Sequence, residues 1–361
     1  MAKKTALNAR QNIILEVISK GGPINSVGVR KRLEKQITAS LVTIKRDLSF
    51  LEKQGLLVQQ GKGPSTRYAT SAAYEFLFPT NVEQYFKRER ATNEIYVRFD
   101  FDIFNLLKKV RIFSPEEVKQ LDLITLDAKR KQKKISATLR AKELERFIIE
   151  FSWKSSRIEG NTYSLLETEA LLTRNERAKN KNETEARMII NHKNAFARIL
   201  ENIERFSHIT IADIETIHSL LVYKLNIPKN IRVSAVGITG TRYRPLDNQF
   251  QIREAMEKMC VLVNTLSNSY ERALIAMLLI AYIQPFEDGN KRTSRLLGNA
   301  ILLARGKFPI SYRVTDEGEY KKAVILFYER HNASYFKTLF TEQYKFVVQN
   351  YFSHKNSVNP D

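Results

Sequence analysis

Residues 281–295 read AYIQPFEDGNKRTSR. An apolar run, Ala273 to Ile283, ends there. Pro285 then stops helical propagation, because its ring clashes with the preceding turn and it has no N–H to donate. Gly289 lets the backbone approach a ligand closely. A second helix is expected over 291–304, with Leu296, Leu297, Ile301 and Leu302 inward. The unsatisfied N–H groups at its start, together with the helix dipole, form a phosphate site lined by Gly289, Asn290 and Lys291. Arg292 and Arg295 lie three apart on one face and reach further phosphates. Asp288 stands where a carboxylate would hold Mg²⁺ bridging those phosphates, since hard oxygen ligands suit that metal. Gln284 is out of keeping: a loop that does chemistry would carry a general base near its start, and an amide does not hold a proton at neutral pH. From the residues alone, a plain polar connection between two helices fits the loop as well.

Outward from the loop, the apolar run is too short to span a bilayer, which needs about 20 residues, and reads as a buried helix. Upstream, RVSAVGITGTRYRPLDN (232–248) alternates loosely at Val233, Val236 and Ile238 and is punctuated by Gly237, Gly240 and Pro245. It reads as a β-hairpin followed by a turn. DAKRKQKKISATLRAKELERFIIEFSWKSSRIEGN (127–161) reads as one long helix ending near Gly160, with Lys129–Lys134 on its solvated face. Downstream, 316–352 reads as two helices closing the core, with Tyr320, Val324, Phe327, Phe336, Leu339 and Phe340 packing, before a polar tail from Ser353. Residues 71–130 are rich in aromatics and carry a short β element near Glu94–Phe101.

The segment 1–70 reads as three helices and a hairpin. The helices are expected over Ala9–Ser19, Ser26–Lys35 and from the caps Thr38 and Ser40 to Gln54. Ile13, Ile14, Val17 and Ile18 line the first, and Leu41, Ile44, Leu48 and Leu51 the third. GLLVQQGKGPSTRYAT (55–70) then gives strand, turn and strand. Basic residues from Lys3 and Lys4 through Lys35 to Arg67 outweigh Glu16, Glu34, Asp47 and Glu52.

The chain has 361 residues, 43% hydrophobic and 27% charged, as expected of a globular protein with two or three domains. A net charge of +20 favours anionic partners without choosing among nucleic acid, nucleotide and acidic protein. The single cysteine, Cys260, excludes an internal disulfide framework and suits a reducing cytosol, and no signal peptide or membrane span is read. A cytoplasmic location is expected.

The order of elements in 1–70 resembles a winged helix-turn-helix domain. That resemblance puts Ser40, Thr43, Lys45 and Arg46 at the major groove and Lys62 and Arg67 on the wing. Dimerisation or intramolecular packing is the other use of such a domain. QPFEDGNKRTSR (284–295) resembles the signature of Fic (Fido) domains, H-x-F-x-[DE]-G-N-G-R-x-x-R: Phe286, Asp288, Gly289, Asn290, Arg292 and Arg295 match. Gln284 stands where the family has its catalytic His, and Lys291 where many members have a second Gly. SSRIEGN (155–161) resembles the family's inhibitory motif [ST]-x-x-x-E-[GN], through Ser155, Glu159 and Gly160. The hairpin 232–248 resembles the flap that aligns a target segment by strand addition, with Ile238 as its clamp or as a packing residue.

The resemblance covers about 150–345 and implies a mainly α fold: an all-helical Fic core with a β-hairpin flap, plus a small α/β winged-helix domain. Domains are expected at 1–72 (winged helix), 73–130 (connection), 131–345 (Fic, with an inhibitory helix at about 145–160) and 346–361 (tail). The implied activity is transfer of AMP from ATP, with Mg²⁺, to a protein hydroxyl, with Glu159 pairing Arg295 to block the nucleotide. Gln284 is expected to impair it, and His192, His208, His218, His331 and His354 have no link in sequence to the loop. Two alternatives remain open. One is a catalytically silent, nucleotide-binding, DNA-binding regulator. The other is a phosphotransferase like Doc toxins, which share Asn-Lys-Arg here but carry Ala at the Gly289 position, keep the His and lack the inhibitory helix. The implied transfer needs a target protein, which the sequence does not name, and a homodimer is compatible with a winged helix and with the family.

Overall fold

Asn8 opens the first helix, α1 (Ala9–Gly21), with a capping box in which its side chain accepts from Gln11 N and the Gln11 side chain accepts from Asn8 N. Asn25 and Ser40 cap α2 (Ser26–Leu33) and α3 (Leu41–Lys53) in the same sense. Strands β1 (Leu57–Gln60) and β2 (Arg67–Thr70) pair antiparallel, Leu57 opposite Thr70 and Gln60 opposite Arg67, and Ile24 bridges to Tyr68 on the other side. A short α4 (Ala72–Leu77) follows. The core here is Ile14, Leu15, Ile18, Val29, Leu33, Ile44, Leu48, Leu51, Leu57 and Tyr68. Ile13 and Val17, expected inward, are half-buried and Leu15 takes the inner place. Asp47 is buried on α3, where Arg10 and Gln11 of α1 donate to it. The computed structural model describes residues 7–34, 37–87 and 96–351. Lys3, Lys4, Lys35, Glu94, Ile95 and the tail with His354 lie outside them.

The chain divides into two compact units, Met1–Pro79 and Thr80–Asp361. The division falls after α4 rather than at 72, because Ser71 Oγ donates to Gly55 O and caps α4 onto the first unit. In the second unit come α5 (Val82–Lys87), β3 (Val97–Arg98), α6 (Asp102–Lys109), α7 (Pro115–Lys133), α8 (Ala137–Arg157), α9 (Leu165–Arg174), α10 (Glu183–Glu201), α11 (Ile211–Leu221), β4 (Tyr243–Arg244), α12 (Gln249–Thr265), α13 (Ser269–Ile283), α14 (Asn290–Ala304), α15 (Glu317–Arg330) and α16 (Ser334–Asn350). The described residues of 80–130 belong to this unit. Thr125 on α7, for example, bonds Tyr344 on α16 at 2.7 Å.

Helix α13 is buried on every side from Tyr270 to Ile283, as a helix apolar all round must be. It packs most extensively on α14. Gly298 makes that closeness possible: a Cβ there would stand 1.9 Å from Met277 Cε. The long helix expected across 127–161 is two helices, because Ser136 caps a new one, accepting from Leu139 N after the chain turns at Lys134. The segment 232–248 turns back at Thr239–Gly240 (Gly240 φ +82°). Its returning arm does not pair with its outgoing arm: β4 pairs in parallel with β3, Val97 opposite Tyr243. Arg242 N and Thr241 Oγ1 meet the buried Glu329 carboxylate, which pulls that arm toward α15. The fold is mainly helical with small two-stranded sheets. No described helix is long and apolar enough to cross a membrane.

Candidate active site

The loop between α13 and α14 begins with Gln284 in the left-handed region (φ +52°). It closes with Gly289 in the same region (φ +81°), where glycine is at ease. Asn290 holds the loop from within: its Oδ1 accepts from Phe286 N (2.9 Å), and its Nδ2 donates to Phe286 O (2.7 Å) and Gln284 Oε1 (3.0 Å). The Gln284 amide is consumed internally, donating to Ala281 O (2.5 Å) and Tyr328 Oη (3.3 Å). Burial keeps Tyr328 well above its ordinary pKa, so it stays a phenol. Phe286 is fully buried and stacks on His218 of α11, ring centroids 3.7 Å apart and 3° from parallel.

His218 therefore lies against the loop, a placement the sequence reading left open. Its Nε2 meets Asp288 O (3.0 Å) and its Nδ1 meets Lys229 O (3.1 Å). With both nitrogens engaged and one face covered, it offers no base to the cavity in front. Burial pushes its pKa down, against the pull of the two carbonyls. The signal in sequence was its place on the inner face of α11, among Ile214, Ile217 and Leu221.

Glu159 stands just beyond α8, in a turn closed by Gly160 (φ +96°). One carboxylate oxygen accepts from Arg295 (2.9 Å) and the other from Lys291 Nζ (2.8 Å). Arg295 also donates to Ser155 Oγ (2.9 Å) and Ser155 O (2.7 Å). Burial alone would raise the Glu159 pKa, but Arg295 and Lys291 outweigh it and bring it down from 4.5 to about 2. Lys154 and Arg157 tie the same helix to Glu317 at the start of α15. On the same helix Trp153 donates from its indole to Tyr163 O (3.0 Å), with Lys154, Arg157 and Arg313 near its ring.

A cavity of about 420 Å³ opens in front of this group, lined by Glu159, Gln284, Asp288, Asn290, Lys291, Tyr328 and the 236–239 segment with Ile238. Arg292 and Arg295 are almost fully buried and do not line it. Arg292 donates to Asp288 (3.0 Å), while its Nε and one terminal nitrogen meet no acceptor. The Asp288 side chain is 63% exposed. Among the described residues no three of His, Cys, Asp and Glu gather as a metal cage. What is present fits a cation held by one carboxylate and the phosphates of a ligand, as Mg²⁺ commonly is. In the first unit, Ser40, Lys45, Arg46, Lys62 and Arg67 are exposed and Thr43 is half-buried, its hydroxyl on Ser40 Oγ (2.9 Å).

Residues 208–302 match the model of the Fic/DOC family. The protein adenylyltransferase Fic of Nematostella vectensis is 29% identical over 224 residues, 56% of this chain and 50% of the relative. The Caenorhabditis elegans protein adenylyltransferase fic-1 is 28% identical over 172 residues, 45% of this chain and 33% of the relative. The chain thus spans half or less of the length of these curated relatives. Among solved structures, a fragment of C. elegans Fic-1 superposes with a TM-score of 0.57 at 18% identity, covering 96% of this chain and 99% of that one. A Fic domain containing signaling protein from Bacteroides thetaiotaomicron gives 0.52 at 20% identity, over 64% and 94%. These two share the fold.

Proposed function

We propose, from the Fic/DOC domain that this chain carries, that it is a Fic-type protein adenylyltransferase held inactive by Glu159 and impaired by Gln284. The observation that carries the reading is Glu159, whose carboxylate occupies Arg295 and Lys291 at once. Those cations, with Arg292 and the first N–H groups of α14 at Gly289, Asn290 and Lys291, form the anion site for ATP. With Glu159 in place, the cations are neutralised and the site is closed to the terminal phosphate. Asp288 would hold Mg²⁺, which when bound offsets charge on the phosphates.

In transfer, the target hydroxyl oxygen bonds to the α-phosphorus, the bond to pyrophosphate breaks, and the hydroxyl proton must go to a base. Gln284 cannot take it, and its amide is already spent on Ala281, Tyr328 and Asn290. Loss of general-base help costs about 10²–10⁴-fold. The test is label transfer from α-phosphate-labelled ATP with Mg²⁺. Glu159→Gly is expected to bind ATP and transfer slowly, and Glu159→Gly with Gln284→His to transfer about 10²–10⁴-fold faster. Transfer of the γ-phosphate instead would establish the phosphotransferase reading. No ATP binding by Glu159→Gly would remove both.

A second reading is favoured by the first unit. Its exposed Lys45 and Arg46 on α3 and Lys62 and Arg67 at the β1–β2 turn make no ion pair with another described residue. Three helices and such a hairpin fit a winged helix with α3 in the major groove. The chain would then be a nucleotide-binding, DNA-binding regulator.

A further inference from the structure

Arg232 is 2% exposed and lies where the 232–248 segment leaves the body of the second unit. It forms no ion pair with a described residue. Instead its guanidinium donates in three directions to main-chain carbonyls: from Nε to Gln284 O (2.7 Å), and from its two terminal nitrogens to Ser234 O (2.7 Å) and Leu246 O (2.5 Å). Its own N–H donates to Pro285 O (3.0 Å). One side chain thus joins the outgoing stem of the segment, its returning stem and the backbone of the base position. Between the stems, 233–238 belongs to no strand or helix, and Val233 is 66% exposed.

A buried cation is costly to desolvate, and with Asp247 and Glu287 acting on it only at longer range, charge-assisted bonds to three carbonyls offset that cost. The planar fork is what lets one residue reach three acceptors; a lysine ammonium is a single point on a flexible stem. We infer that Arg232 is a positioning residue that fixes the 233–246 segment against Gln284–Pro285. It thereby sets where a peptide laid on that segment presents its hydroxyl relative to position 284. The second statement rests on the adenylyltransferase reading; the first does not.

Spin-label distance measurements test it. Nitroxides go on Thr239→Cys and Leu166→Cys in a Cys260→Ser, Glu159→Gly chain, with a control pair at Leu166→Cys and Lys345→Cys. The parent is expected to give one narrow distance distribution for each pair. Arg232→Lys and Arg232→Gln are expected to broaden the Thr239 distribution and leave the control pair narrow. ATP affinity should change by no more than about twofold. An unchanged Thr239 distribution in either variant that folds would overturn the assignment. So would broadening of both pairs, which signals general loosening, or a parallel loss of ATP affinity, which would put Arg232 in the nucleotide site. Should neither variant fold, Arg232 is a core residue and the assignment falls. If the distances move as expected while the Glu159→Gly parent binds no ATP, the tether stands and the adenylyltransferase reading falls.

Discussion

At the scale of the residue, the site is decided by which partners hold a side chain. The sequence told which residues the loop carries, because Pro285, Gly289 and the Arg292–Arg295 spacing have local physical reasons. It did not tell that Lys291 reaches Glu159, that His218 lies under Phe286 or that Arg232 clasps Gln284 O, since each pairing spans a separation no local rule covers. Both Glu159 oxygens being engaged makes a quantitative expectation. Glu159→Gln should raise ATP affinity about tenfold, close to 1.4 kcal/mol, whereas Lys291→Ala, which removes a cation of the phosphate site, should lower it, by calorimetry. Equal affinities across parent and variants would mean that the carboxylate does not compete with phosphate. The Glu159 pairing with Arg295 and Lys291 is not a pH switch near neutrality. The folded-state pKa of Glu159 is depressed to about 2 from 4.5, so its contribution is complete above 4.5 and is lost only as pH falls toward 2.

At the scale of the element, periodicity found the helices and missed their junctions. Residues 127–161 read as one helix because the basic run has no apolar phase to lose, and the stop is a single cap, Ser136. The pairing of the return arm of 232–248 with β3 was not legible, because strands of two residues have no pattern from which a partner could be read. The α13–α14 contact rests on Gly298, whose role shows only in three dimensions. Gly298→Ala would drive a methyl into Met277 and should cost about 1–3 kcal/mol in urea unfolding, with Met277→Ala in the same chain recovering part of it. No loss of stability would mean that the helices part easily there, and that the loop they carry is less firmly placed than its burial implies.

At the scale of the whole molecule, the excess positive charge and the two units invite separate tests. If the first unit contacts DNA, affinity for duplex should fall with salt, with a log–log slope near −0.9 per phosphate met. Lys45→Ala or Lys62→Ala should each reduce that slope by about 1. Absence of binding at low salt would leave the unit a packing or dimerisation module. Acid stability follows from the second unit. His192, His218 and His331 are all held below 6.5, chiefly by burial. The unfolded chain therefore takes up protons that the native one refuses as pH falls through 6.5. Stability should be level near neutrality and decline as pH falls through 6.5, before the carboxylates titrate; urea midpoints across that range check it. Finally, the chain has one tryptophan, and it sits on α8 six residues before Glu159, ringed by cations. Light absorbed at the red edge is emitted from that one point. If Glu159 leaves Arg295 and Lys291 as ATP binds, as proposed, the emission of the unlabelled protein should change as ATP is added, an optical gauge that needs no label.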